Sequence, residues 1–166
     1  MRILALTGPP AAGKSTVGRR LASARSRCAF VDVDDVRQLV IAGAAAPWEG
    51  AEGRRQRRLG ALNAASLARN FAEAAIDVVI ADVLNADALG VYRAALDDLL
   101  VVHLHASYER ARERALTRPV HLTWDEFALL HREQEAMSGA DAYLDTTDLT
   151  LRETVGRVLA LWGTCG

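Results

Sequence analysis

Residues 2–15 read RILALTGPPAAGKS, and this stretch settles the fold class. Arg2 to Thr7 is a short apolar run closed by Gly-Pro-Pro, a buried strand by its length and its turn signal. Gly8, Gly13, Lys14 and Ser15 then fill the pattern G-x-x-x-x-G-K-[ST]. Beyond it, Val17, Leu21 and Ala24 recur at helical spacing, so the pattern stands between a strand and a helix. A glycine-rich turn without chemical consequence is the plain alternative. In this setting, though, the glycines let backbone N–H groups turn inward around phosphate oxygens, and the helix N-terminus adds its positive end. The expected nucleotide contacts are Gly8, Pro9, Pro10, Ala11, Ala12, Gly13, Lys14, Ser15 and Thr16. Lys14 offers a slender ammonium to the β- and γ-phosphates of ATP, and Ser15 a hydroxyl to Mg2+. Lys14 is also the only lysine among 20 basic residues. A chain that uses arginine everywhere else keeps it where arginine's planar fork would not fit.

The rest of the chain alternates in the same way. Ala29–Val33, Asp77–Asp82, Leu99–His105 and Ala142–Asp145 read as strands. Helices are expected at 35–41, 52–75, 86–97, 107–117 and 123–137, and after Thr150. Thr123 and Thr150 each stand three residues before a glutamate, the signature of a capping box. The last helix is expected to bury Leu151, Val155, Val158, Leu159 and Trp162. Near-continuous apolar strands alternating with helices predict a parallel sheet covered on both faces, a three-layer α/β fold.

No repeat or linker divides the 166 residues, so residues 1–166 are expected to form one domain. A net charge of −1 argues against a nucleic-acid or membrane partner recruited by global charge. No apolar run approaches the length of a membrane span, and no signal-like N-terminus is evident, so a cytoplasmic protein with reduced Cys28 and Cys165 is expected.

The second strand runs into acids at Asp32, Asp34 and Asp35, followed by Arg37. Strand C-terminal ends face the ligand crevice in such folds, so these carboxylates would stand beside a γ-phosphate. One can take a proton from an acceptor hydroxyl and another can help hold Mg2+ through water. Capping of the next helix by Asp34 or Asp35 is the competing account.

GPPAAGKST followed by a strand ending in D-x-D-D-x-R resembles the small P-loop kinases of the nucleoside-monophosphate-kinase type. Within them it is similar to the shikimate, gluconate, chloramphenicol-phosphotransferase and polynucleotide-kinase-like branches. The resemblance implies a P-loop NTPase fold with a five-stranded sheet in the order 2-3-1-4-5. It implies Asp34 as catalytic base and Arg37 as the arginine that orients the acceptor. Asp32 is then the expected partner of Ser15 at Mg2+. Asp82, in Ala-Asp-Val-Leu after the third strand, resembles the acidic run that contacts the acceptor, one aspartate short. Arg114 and Arg118 resemble the arginines that reach the transferring phosphates, with 118–123 as a short lid. Thr146 resembles a residue of the loop that touches adenine. The implied activity is transfer of the γ-phosphoryl of ATP to a hydroxyl of a small molecule. A polynucleotide end kinase and an ATPase without an acceptor are the rivals, and the protein is expected as a monomer or homodimer.

Three further features stay open at the level of sequence. Trp48, in a Pro/Gly loop, either stacks on an acceptor ring or closes the core edge. The run Gly53 to Arg58 offers arginines to an anionic acceptor or to solvent. His103 and His105 are expected to be core or crevice-wall residues, because a third metal ligand is missing.

Overall fold

The computed structural model describes residues 1–117 and 122–163. Five strands, β1 (Ile3–Thr7), β2 (Cys28–Asp32), β3 (Asp77–Ala81), β4 (Leu99–His105) and β5 (Ala142–Asp145), form one parallel sheet in the order 2-3-1-4-5. The helices are α1 (Lys14–Ser23), α2 (Val33–Arg37), α3 (Gly50–Glu73), α4 (Ala86–Ala95), α5 (Tyr108–Leu116), α6 (Trp124–Glu135) and α7 (Leu151–Trp162). The expected α/β P-loop NTPase fold is observed, strand order included.

Alternation along the strands builds two cores. Ile3 and Ala5 of β1 face α3 and α4 with Val78, Ile80 and Val101, whereas Leu4 and Leu6 face the other way with Val79, Val102 and Leu104. Both sets are buried, which is why the strands read as unbroken apolar runs. The alanines of α3 are not there for propensity alone. Ala61, Ala64, Ala65 and Ala68 form a buried stripe whose small side chains let the long helix lie close over the sheet.

Local boundaries depart from expectation where a cap intervenes. Asp32 accepts a hydrogen bond from Asp34 N at 3.2 Å and starts α2 at Val33, earlier than the sequence suggests. Neither Asp34 nor Asp35 is the cap. Both threonine capping boxes form as expected. Leu151 is not core: it is 40% exposed, because α7 buries Thr154, Val158 and Trp162, and Leu151 overhangs a cavity at the helix start. Cys28 is a free thiol, and Cys165 lies outside the described residues. Among the described residues, no helix is long and apolar enough to cross a membrane.

His103, 3% exposed, meets the Gln134 carbonyl at 3.1 Å through Nε2 and packs on Tyr143. Burial pushes its pKa down to about 4, below the ordinary value of 6.5. The unfolded chain therefore takes up a proton that the folded chain refuses between those values. Stability from this site is complete above about pH 6.5 and is lost as pH falls toward 4. Thermal midpoints should fall from pH 7 to pH 4.5, and His103→Gln should flatten that decline. The capping carboxylates Glu126 and Glu153, held below their usual range by bonds from Thr123 and Thr150, act only at lower pH. An equal decline in wild type and variant would exclude His103 as its source.

Candidate active site

The loop between β1 and α1 has the backbone of a phosphate cradle. Gly8 has φ 140°, Ala11 φ 59° and Gly13 φ 97°. A side chain at Gly8 would drive its Cβ into the Leu104 carbonyl oxygen, so the loop lies directly on β4. Ala11 holds a left-handed conformation without glycine's freedom, a local strain typical of ligand-binding loops. Lys14 Nζ donates to the Gly8 and Pro9 carbonyls at 2.8 and 2.9 Å, which lays the ammonium along the inside of the loop.

Two cavities meet at this loop, and Ala11 and Gly13 line both. The larger, about 950 Å3, lies between Lys14 and Ser15 on one side and α2, the 44–49 loop and α3 on the other. Asp34, Arg37 and Trp48 belong to its wall. The smaller, about 570 Å3, is bounded by Thr16, Arg114 and Thr146. Most of the residues expected at the site are thus brought together around one loop, divided into two compartments.

A line of charge runs inward from the wall of the larger cavity. Arg37 pairs with Asp34, and its other terminal nitrogen reaches Asp82 at 3.4 Å. Asp82 also accepts from Tyr92 Oη at 2.9 Å and from Val83 N at 2.8 Å. Burial raises the Asp82 carboxyl above its usual pKa, against the opposing pull of Arg37, Tyr92 and the Val83 N–H. Asp82 does not line the cavity, and its side chain is only 2% exposed. It stands behind Arg37, away from the cavity surface at which the sequence places it. Of the three aspartates, Asp34, at 66% exposure, is the one that opens on the cavity. Asp32 is engaged as the α2 cap and does not line it either.

Trp48 lines the cavity and donates from Nε1 to Glu126 on α6 at 3.0 Å, which ties the 44–49 loop to that helix. Arg114 donates to the Thr146 and Thr147 carbonyls at 2.9 and 3.4 Å, so it stands on the wall of the smaller cavity. Arg118 and most of the expected lid, 118–121, lie outside the described residues. No cluster of His, Cys, Asp or Glu among the described residues could hold a metal by itself.

Arg57 joins the site although its sequence context does not single it out. It is 7% exposed, pairs with Glu133 at 2.7 Å and donates to the Val83 carbonyl at 2.8 Å. It lines the larger cavity. One signal does point to it: Gly53, Arg57, Gly60, Ala61 and Ala64 share one face of α3, the face of small residues that packs inward. Arg54, Arg55 and Arg58 are exposed, as expected for a solvated face.

A family model described as AAA domain matches residues 4–137. Among solved structures, a sugar kinase from Janibacter sp. HTCC2649 superimposes with a TM-score of 0.76 at 17% identity, covering 99% of each chain. Shikimate kinase from Acinetobacter baumannii, in complex with shikimate, gives 0.65 at 25% identity over 97% of this chain and 92% of that one. The Mycobacterium tuberculosis APS kinase, in complex with AMPPNP and APS, gives 0.67 at 18% identity over 96% of both. Comparison with curated proteins finds no match. The fold is that of the small P-loop kinases.

Proposed function

The chain belongs to the AAA domain family, and from that premise we propose that it transfers the γ-phosphoryl group of Mg·ATP to a hydroxyl of a small molecule. The observation that carries this reading is the pair of cavities meeting at the Lys14 loop. An ATPase without an acceptor has no use for the larger one. ATP would lie with its base in the smaller cavity, beside Thr146 and Arg114, and its phosphates along Gly8–Thr16. The acceptor would occupy the larger cavity with a hydroxyl against Asp34.

The hydroxyl oxygen attacks the γ-phosphorus, the bond to the β-phosphate bridging oxygen breaks, and the hydroxyl proton passes to the Asp34 carboxylate. Arg37, anchored by Asp82, holds Asp34 in place. Lys14 stabilises charge on the phosphate oxygens. Ser15, on the cavity wall, fits a role in holding Mg2+, and Asp32 would join only through water with the oxygen that is not capping α2. When bound, Mg2+ supplies neutralising charge between the phosphates.

ADP formation measured across sugars, nucleosides, short oligonucleotides and hydroxylated antibiotics tests the reading. Acceptor-stimulated ADP with a phosphorylated product supports it, whereas hydrolysis that no acceptor alters would overturn it. Steep salt dependence with oligonucleotides as the only acceptors would favour the end-kinase rival.

Arg114→Ala tells the two compartments apart. Held against the 146–147 carbonyls in the smaller cavity, Arg114 should serve ATP binding. Its loss should raise KM for ATP by about tenfold or more with kcat within threefold, the scale of a charged hydrogen bond. A fall in kcat at constant KM would instead place it at the transferring phosphate.

A further inference from the structure

The size, wall and charge of the larger cavity together constrain its occupant. Resting on the kinase reading, we infer that the phosphoryl acceptor is an uncharged, ring-bearing alcohol with an apolar face, and that acceptors carrying a carboxylate or phosphate are disfavoured.

The cavity is large for a small polyol. At about 950 Å3 it stands at the upper end of the range that holds drug-sized ligands. Part of it serves the phosphate end beside Lys14 and Ser15. What remains is still far larger than a triose or a simple polyol needs.

Much of its wall is apolar. Trp48, Val40, Ile41, Leu59, Leu122 and Leu130 face the space, and Ile41 is 90% exposed. An apolar side chain so open to water gains when an apolar ligand surface covers it. Trp48 is held by its Nε1 bond to Glu126, which fixes a flat aromatic surface at the cavity edge.

Its cations are already matched. Apart from Lys14 of the phosphate loop, the described residues that line the cavity include two, Arg37 and Arg57. Arg37 lies between Asp34 and Asp82, and Arg57 between Glu133 and the Val83 carbonyl. Glu49 adds a further carboxylate to the same wall, and Asp34 keeps an exposed one there even while paired with Arg37. An anionic acceptor would have to displace a carboxylate from an arginine or lie beside Asp34, and like-charge contacts of this kind disfavour a partner strongly. A neutral oxygen meets neither cost.

Matched acceptor pairs test this: 4-nitrophenyl glucoside against 4-carboxyphenyl glucoside, and thymidine against thymidine 3′-monophosphate, with free glucose as the ring without an apolar substituent. Product mass and kcat/KM with ATP are read, together with calorimetric binding in the presence of AMPPNP. The uncharged member of each pair should be favoured by about tenfold or more, and the aryl glucoside should exceed glucose. Equal use of both members, preference for the anionic one, or glucose as the better acceptor would overturn the inference. So would failure of every uncharged member to bind while AMPPNP still binds. Glu133→Gln frees Arg57 of its counter-ion without touching the phosphate loop or Asp34. It should narrow the preference about tenfold, and an unchanged ratio would show that paired arginines do not set it. ADP formation that no acceptor stimulates would overturn the kinase reading itself.

Discussion

Replacing Lys14 by alanine should reduce phosphoryl transfer by about 10²–10³-fold or more, the scale for removing one preorganised charge-stabilising donor, while the fold stays intact. Lys14 is the first residue of α1, and its ammonium donates to the carbonyls of Gly8 and Pro9. Lys14 itself lines the larger cavity, so water can fill the space its side chain leaves and replace the lost donor. Neither core cluster includes Lys14, and circular dichroism should show an unchanged thermal transition. What cannot be replaced is a compact positive charge within the loop that bends around phosphate. Calorimetry should show a clear loss of ATP affinity alongside the loss of turnover. Unchanged affinity together with unchanged turnover would show that the nucleotide lies elsewhere.

Asp34→Asn should lower transfer to the acceptor by about 10²–10⁴-fold, the contribution of a positioned base, and leave ATP affinity near the wild-type value. The substitution keeps the shape of the side chain and removes its ability to take a proton. Arg37 retains Asp82 on its other side, so this wall of the cavity should hold. Asp34 is also two-thirds exposed, and its ion pair at that exposure adds little to stability. The same substitution at Asp32 should cost little stability, because asparagine caps a helix as well as aspartate does, and should lower turnover less than at Asp34, mainly through Mg2+. A larger kinetic loss at Asp32 or Asp82 than at Asp34 would transfer the role of base to that residue.

Much of this molecule is legible without coordinates, for reasons that are local. The strands are short apolar runs because both sheet faces are covered, so each can be picked out by composition. The phosphate loop is contiguous: Gly8 and Gly13 supply its special backbone, and Lys14 and Ser15 follow within the same turn. The capping boxes at Thr123 and Thr150 are set by residues three positions apart, and both form. Asp34 and Arg37 also meet through local spacing, one helical turn apart on α2.

Contacts between distant segments are not legible in the same way. Asp82 reads as an acceptor contact at the end of its strand, but Tyr92 from α4 and Arg37 from α2 enclose it. Arg57 reads as one exposed arginine among several until α6 supplies Glu133 and the chain after β3 supplies the Val83 carbonyl. His131, silent in the sequence, is buried with Nε2 at 3.0 Å from the Ala106 carbonyl and Tyr108 edge-on to its ring. The layers, the strand set, the phosphate loop and the α2 acid–arginine pair are thus written in the chain itself, because each depends on neighbours within a few residues. Which charges are spent on one another, and which face the cavity, emerges only on folding, because burial and ion pairing depend on segments that the chain brings together from far apart.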